Sequence, residues 1–164
     1  MLRLLWERIR PPRLLVWITP ELAIGPALSS DRFRLLTKAG IGSVIDARAE
    51  ASDDEGDLAK RGIHFLHLPV GDYRAPSPEQ LATASEWTLG QFAEDRKVYL
   101  HCRSGIGRSP CIACAILMAV GYSLPDAYAA VRRERPWATL NESQRAALEE
   151  FESALHARAT PEQR

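Results

Sequence analysis

Residues Val98 to Pro110 read VYLHCRSGIGRSP. Val98-Tyr99-Leu100 is short, apolar and β-prone, the mark of a buried strand. From Ser109 the apolar pattern lengthens into a helix that reaches Val120. A strand passing through a glycine-bearing loop into a helix puts that loop at the carboxyl edge of a sheet, where open α/β folds bind ligands. The first amides of the helix have no intrahelical acceptor, and the peptide dipoles leave partial positive charge there. Gly105 and Gly107 let the backbone turn tightly, so Arg103, Ser104, Gly105, Ile106 and Gly107 offer amides that converge on an anion. A phosphate group suits such a nest.

Cys102 opens the loop, with its sulfur in the same positive potential. A thiolate is stabilised there, below the free thiol value of about 8.5. Arg108 stands further round the loop and brings a planar fork able to hold two phosphate oxygens. Cysteine and arginine at this spacing, between strand and helix, predict a nucleophile below the phosphorus and a cation across its oxygens. The loop is not a nucleotide-binding GxxxxGK[ST] loop, because no lysine occupies the required place. Gly105-x-Gly107 runs on to Pro110 without a third glycine, so the dinucleotide fingerprint fails too.

On either side of this loop the chain alternates strand and helix. Leu14–Ile18 and Leu22–Ile24 read as strands separated by Thr19-Pro20. Ser30 or Asp31 is expected to cap one helix covering Phe33, Leu35 and Leu36, stopped by Gly40. Val44-Ile45 is a buried strand ending at Asp46, a carboxylate we pair with Arg48. The run Ser52–Asp57 (SDDEGD), containing Asp53, reads as a solvated acidic loop before a short helix. Ile63–Leu68 is a further strand closed by Pro69, and Gly71–Pro78 a loop. Helices are expected over Glu79–Glu94, Ser109–Val120, Leu124–Arg133 and Asn141–Leu155. The pattern predicts a single α/β domain with a central, mainly parallel, twisted sheet of about five strands flanked by helices. Its bounds are placed at residues 13–157, between an N-terminal arm, 1–12, and a C-terminal tail, 158–164.

The 164 residues suffice for one core and not for two. Twenty-one basic and 21 acidic residues cancel, so no global field favours nucleic acid. Three cysteines are an odd count for a disulfide scaffold and fit a reducing compartment, with a cytoplasmic enzyme as the default. No apolar run approaches the ~18 residues of a membrane span. In the arm, Leu2, Leu5, Trp6 and Ile9 share a helical face before Pro11-Pro12. We read it as a short arm that packs or frays; contact with a membrane surface is the sharper alternative.

HCxxGxxRS at residues 101–109 resembles the signature of cysteine-based protein phosphatases, and the short chain is similar to the dual-specificity branch. The likeness extends from about Leu14 to Phe151 through LAIGPALSS, AGIGSVIDAR, the helix Asp126–Arg135 and Asn141…Phe151-Glu152. It implies the fold of that family and metal-independent phosphomonoester hydrolysis through a phosphocysteine, with no cofactor. A loop aspartate about thirty residues before the cysteine would be the general acid, which makes Asp72 in PVGDYRAPSP the candidate. The plain alternative is that Asp72 turns the chain with Gly71. By the same resemblance Ser109 donates to the Cys102 sulfur, against a simpler helix-capping role. His101 would bond backbone near the loop and tune the thiol, or sit passively in the core. Asn141 would brace the phosphate loop or cap the last helix, and Arg103 would add charge at the rim.

Cys111-Ile112-Ala113-Cys114 spells C-x-x-C, but in an apolar helix these thiols read as core rather than as a metal or redox site. A disulfide from Cys102 to either is the redox alternative. The expected partner is a phosphorylated protein, phosphotyrosine first, then phosphoserine or phosphothreonine. Phosphoinositide hydrolysis and a weakly active phosphate-binding module are the competing readings. Sulfur transfer would leave Asp72 without a task, and arsenate reduction would want a resolving cysteine within reach.

Overall fold

The computed structural model describes residues 14–159, and the N-terminal arm expected over 1–12 lies outside them. Five strands make one sheet: β1 Val16–Trp17, β2 Leu22–Pro26, β3 Ile41–Arg48, β4 His64–Val70 and β5 Lys97–Cys102. Their order across the sheet is β1-β2-β5-β3-β4. Only β1 runs antiparallel, against β2; the pairs β2–β5, β5–β3 and β3–β4 are parallel. The last-made strand therefore lies at the centre, and its carboxyl end is ringed by the ends of its neighbours.

Side chains alternate across the pleat, so β5 feeds two cores. Val98, Leu100 and Cys102 join one with Ile24, Ile45, Leu81 and Ile112. Tyr99 joins the other with Ala23, Phe33, Leu36, Val44 and Leu58. The first face is covered by α3 (Pro78–Ala93), α4 (Arg108–Ala119), α5 (Leu124–Glu134) and α6 (Glu142–Ala159). The second is covered by the short helices α1 (Arg34–Lys38) and α2 (Glu55–Lys60).

Sequence chemistry explains the helix starts. Ser77 accepts from the Gln80 amide at 3.1 Å while the Gln80 side chain accepts from Ser77 N at 3.0 Å, and Pro78 fits the first turn. Asp54 caps α2 and Ser123 caps α5 more simply, each side chain accepting one amide, from Asp57 N and Asp126 N. The single helix expected from Ser30 or Asp31 is instead a 3-10 turn over Ser30–Arg32 followed by α1, with no capping side chain on either. The apolar spacing of Phe33 and Leu36 was enough to bury both, but only five residues form α1. Helix α6 continues through Ala159, past the expected start of a tail.

α4 differs from its neighbours. Gly107 precedes it without a side-chain cap, and every residue from Arg108 to Met118 is buried. Its first-turn amides are thus free for the loop in front of it. Cys111 and Cys114 pack in its interior as unpaired thiols, as the core reading expected.

Candidate active site

The loop from Cys102 to Arg108 owes its shape to four carbonyls that are all drawn outward. Ala27 N donates to Arg103 O at 3.2 Å, and Thr139 N donates to Ile106 O at 2.9 Å. Between them the buried guanidinium of Arg135 donates from Nη2 to Ser104 O at 2.8 Å and from Nε to Gly105 O at 2.5 Å. With the oxygens fixed on the outside, amides turn inward, and Gly105 N reaches the Cys102 sulfur at 3.2 Å. Gly105 adopts φ +67°, and a Cβ there would lie 2.5 Å from the backbone of Gly25. Both the dihedral and the close approach require glycine.

Cys102 is buried at the base of a pocket of about 400 Å³ that also touches Asp72, Tyr73, Arg103, Arg108 and Asn141. Burial works against its thiolate. The hydroxyl and amide of Ser109, the amide of Gly105 and the charge of Arg108 together outweigh that cost, so the thiol titrates below its ordinary value. Ser109 Oγ sits 3.5 Å from Cys102 Sγ. Because Ser109 lies inside α4 and Gly107 holds the position before it, Ser109 is not the cap of this helix.

Arg108 is held from the side by a residue that the sequence reading did not single out. Its Nη1 and Nη2 donate to Glu50 Oε2 and Oε1, each at 2.7 Å, and Nη1 also donates to Val70 O at 2.9 Å. The guanidinium draws the Glu50 carboxyl down to about 2. Asp72 Oδ1 lies 3.5 Å from Arg108 Nη2, and its half-exposed side chain shares the pocket with Cys102. The turn reading also has substance, since Arg74 N donates to Gly71 O at 3.0 Å and Tyr73 N to Asp72 Oδ1 at 3.1 Å. A carboxylate that makes a turn can still face the pocket, and this one does both.

Of the two roles expected of Asn141, the structure shows the helix cap. Its Oδ1 accepts from Gln144 N at 2.9 Å while Gln144 Oε1 accepts from Asn141 N at 3.1 Å, a reciprocal cap on α6. Its Nδ2 donates to Tyr73 O at 2.8 Å, and Gln144 Nε2 donates to Arg74 O at 3.2 Å. The start of α6 therefore braces the loop that carries Asp72. Arg103 and Ile106 lie at the exposed rim.

The expected solvated face at Asp53 is overturned as well. Its side chain is almost wholly buried, where its Oδ1 accepts from Arg48 Nη2 at 2.9 Å and its Oδ2 pairs with His101 Nε2 at 2.7 Å. Arg48 also holds Asp46 at 2.8 Å, the pairing expected for that carboxylate. Asp46, Asp53 and His101 bring ligand atoms within 4.8 Å of one another, the one group among the described residues whose spacing could hold a metal ion. Arg48 bridges the two carboxylates, and His101 Nε2 meets the second oxygen of Asp53, so the polar atoms of this group are already engaged with one another.

Comparison with known proteins agrees with this geometry. Residues 25–154 match the family described as dual specificity phosphatase, catalytic domain. Dual specificity phosphatase 28 of Mus musculus is 31% identical over 147 residues, covering 87% of this chain and 86% of that protein. Protein tyrosine phosphatase type IVA 2 of Mus musculus is 30% identical over 128 residues, covering 75% and 74%. Among solved structures, Tk-PTP in its active form superposes with a TM-score of 0.80 at 30% identity, covering 87% of this chain and 99% of that one.

Proposed function

The chain belongs to the dual-specificity phosphatase family and is a cysteine-dependent phosphatase, and from that premise we propose that it hydrolyses phosphoproteins through a phosphocysteine at Cys102. The carrying observation is the facing pair: a buried sulfur lowered towards thiolate at the base of the pocket, and Asp72 beside Arg108 in that same pocket. The sulfur attacks phosphorus in line, forming the S–P bond as the bond to the leaving oxygen breaks. Asp72 gives that oxygen its proton. The resulting Asp72 carboxylate then takes a proton from water, which attacks phosphorus and expels the Cys102 thiolate. Ser109 Oγ donates to the departing sulfur. Arg108, aimed by Glu50, and the inward amides neutralise the phosphoryl oxygens throughout. This division of labour needs no metal ion, so activity is expected to survive a chelator.

Tyr73 is 82% exposed and Ile106 is 43% exposed, and both line the pocket. An aromatic and an aliphatic wall at the rim suit the ring of phosphotyrosine better than the short arm of phosphoserine. The test is a panel of matched phosphotyrosine, phosphoserine and phosphothreonine peptides beside short-chain phosphoinositides. The reading predicts the highest kcat/KM on phosphotyrosine. A phosphoinositide turned over faster than every peptide would move the substrate to lipid and leave the catalytic class standing.

A further inference from the structure

Gly25 ties the start of the described chain to the catalytic loop. A Cβ on Gly25 would collide with the Leu14 carbonyl oxygen, and a Cβ on Gly105 would lie 2.5 Å from the backbone of Gly25. The Tyr99 hydroxyl fastens the same corner, 3.2 Å from Leu14 O and 2.6 Å from Pro26 O. Val16 pairs antiparallel with Ile24, while Pro26 pairs with Cys102, so the chain enters the sheet at its carboxyl edge. Residues 1–13 are therefore tethered one residue's thickness from the loop built for phosphate.

The mouth of the pocket beside this tether is apolar and basic at its lip. Tyr73 and Ile106 line it, and both are exposed. Trp137, 61% exposed, stands midway along a segment bonded to the loop at both ends. Arg135 donates to the Ser104 and Gly105 carbonyls, and the Thr139 amide donates to Ile106 O. One exposed apolar side chain is ordinary, but three around one mouth mark a contact surface. Among the charges, Glu50 is spent on Arg108 and Glu134 on Arg133. Arg74, next to Tyr73, and Arg103 are both exposed, and at the lip they outnumber Asp72.

The sequence of the tethered segment matches this lip in both respects. Leu2, Leu5, Trp6 and Ile9 fall at the spacing of one helical face. Arg3, Arg10 and Arg13 stand against Glu7 alone, a net charge of +2 over residues 1–13. Folding this segment back over the mouth would bring like charges together. An anionic lipid surface instead attracts both, and it takes Trp, Tyr and aliphatic side chains at its headgroup level. The chain as a whole carries no net charge, so the attraction belongs to this face.

We propose that residues 1–12 and the lip formed by Tyr73, Ile106 and Trp137 make one membrane-facing surface. It seats the protein on anionic phospholipid with the catalytic mouth towards the headgroups. The tether beside the mouth is what favours membrane contact over packing or fraying for this arm. Vesicle binding needs no turnover, so this surface stands or falls apart from the phosphoprotein reading.

The test is co-sedimentation of the full chain with phosphatidylcholine vesicles, either pure or containing about one third phosphatidylserine. Binding is expected to the mixed vesicles and not to the neutral ones, and it should weaken as salt is raised. Deleting residues 1–12 is expected to reduce it to background, and Arg10→Gln to weaken it about fivefold. Trp137→Ala is expected to weaken it about tenfold while leaving vesicle-free hydrolysis of para-nitrophenyl phosphate unchanged. Mixed vesicles that leave the folded full chain in the supernatant overturn the proposal. So does binding that survives the deletion or Trp137→Ala undiminished. An arm lying over the mouth would instead show as faster vesicle-free hydrolysis on deletion, which also overturns it.

Discussion

Two carboxylates flank the Arg108 guanidinium, and their surroundings give them different work. Glu50 meets both terminal nitrogens at 2.7 Å and is drawn down to about 2, whereas Asp72 stands off at 3.5 Å with half its side chain in solvent. A carboxylate depressed in the folded state contributes stability that is complete above its ordinary value of 4.5 and lost as pH falls through about 2. The Glu50–Arg108 pair is therefore intact wherever the enzyme is assayed. An acid limb in kcat/KM above that range is therefore not the loss of this pair. As the proposed general acid, Asp72 is the group whose loss should depend on the leaving oxygen. Asp72→Asn is expected to slow an alkyl phosphate about 10²-fold while barely slowing an activated aryl phosphate. Equal loss on both would assign the acid to another carboxylate. Cys102 and Arg108 were legible because the loop that joins them is continuous in sequence. Asp53 was not, because its meaning comes from His101, 48 residues away. A run of acids looks solvated until the fold turns one member inward. Glu50 was hidden for the same reason, since its partner is 58 residues distant.

Among the elements, the loop and α4 behave as one piece. The four outward carbonyls tie the loop to β2, to the end of α5 and to the segment before α6, so its shape depends on contacts from three sides. Gly105 is the tightest point. Gly105→Ala adds a side chain at φ +67° against Gly25, where the left-handed backbone costs roughly 1–2 kcal/mol and the clash adds to it. The expected outcome is a lowered denaturation midpoint together with loss of phosphate affinity, read as the inhibition constant of inorganic phosphate. Unchanged inhibition would show that the loop is not shaped by this contact. The sequence located α3 to α6 closely, because Ser77, Ser123 and the long apolar spacings act locally. It missed the break between the 3-10 turn and α1, where Phe33 and Leu36 are buried by the second core and no capping side chain marks a start.

At the scale of the molecule, the described residues form one sheet with two unequal cores, and the site exists because β5 lies between β2 and β3. Alternating strand and helix signals were enough to read an α/β domain and to put Cys102 and the Asp72 loop at one edge. The strand order was not legible, since periodicity describes each strand's faces and says nothing of which strand it sits beside. Likewise the network from Arg135 through the loop, and from Asp53 through His101, appears only once β3, β5 and α5 are side by side. All of this arrangement converges on one sulfur. The most direct test is hydrolysis of para-nitrophenyl phosphate in the presence of a chelator, by the unmutated protein and by Cys102→Ser. The prediction is full activity in chelator for the former and none above background for the folded variant. Turnover that persists in Cys102→Ser would contradict a phosphocysteine mechanism.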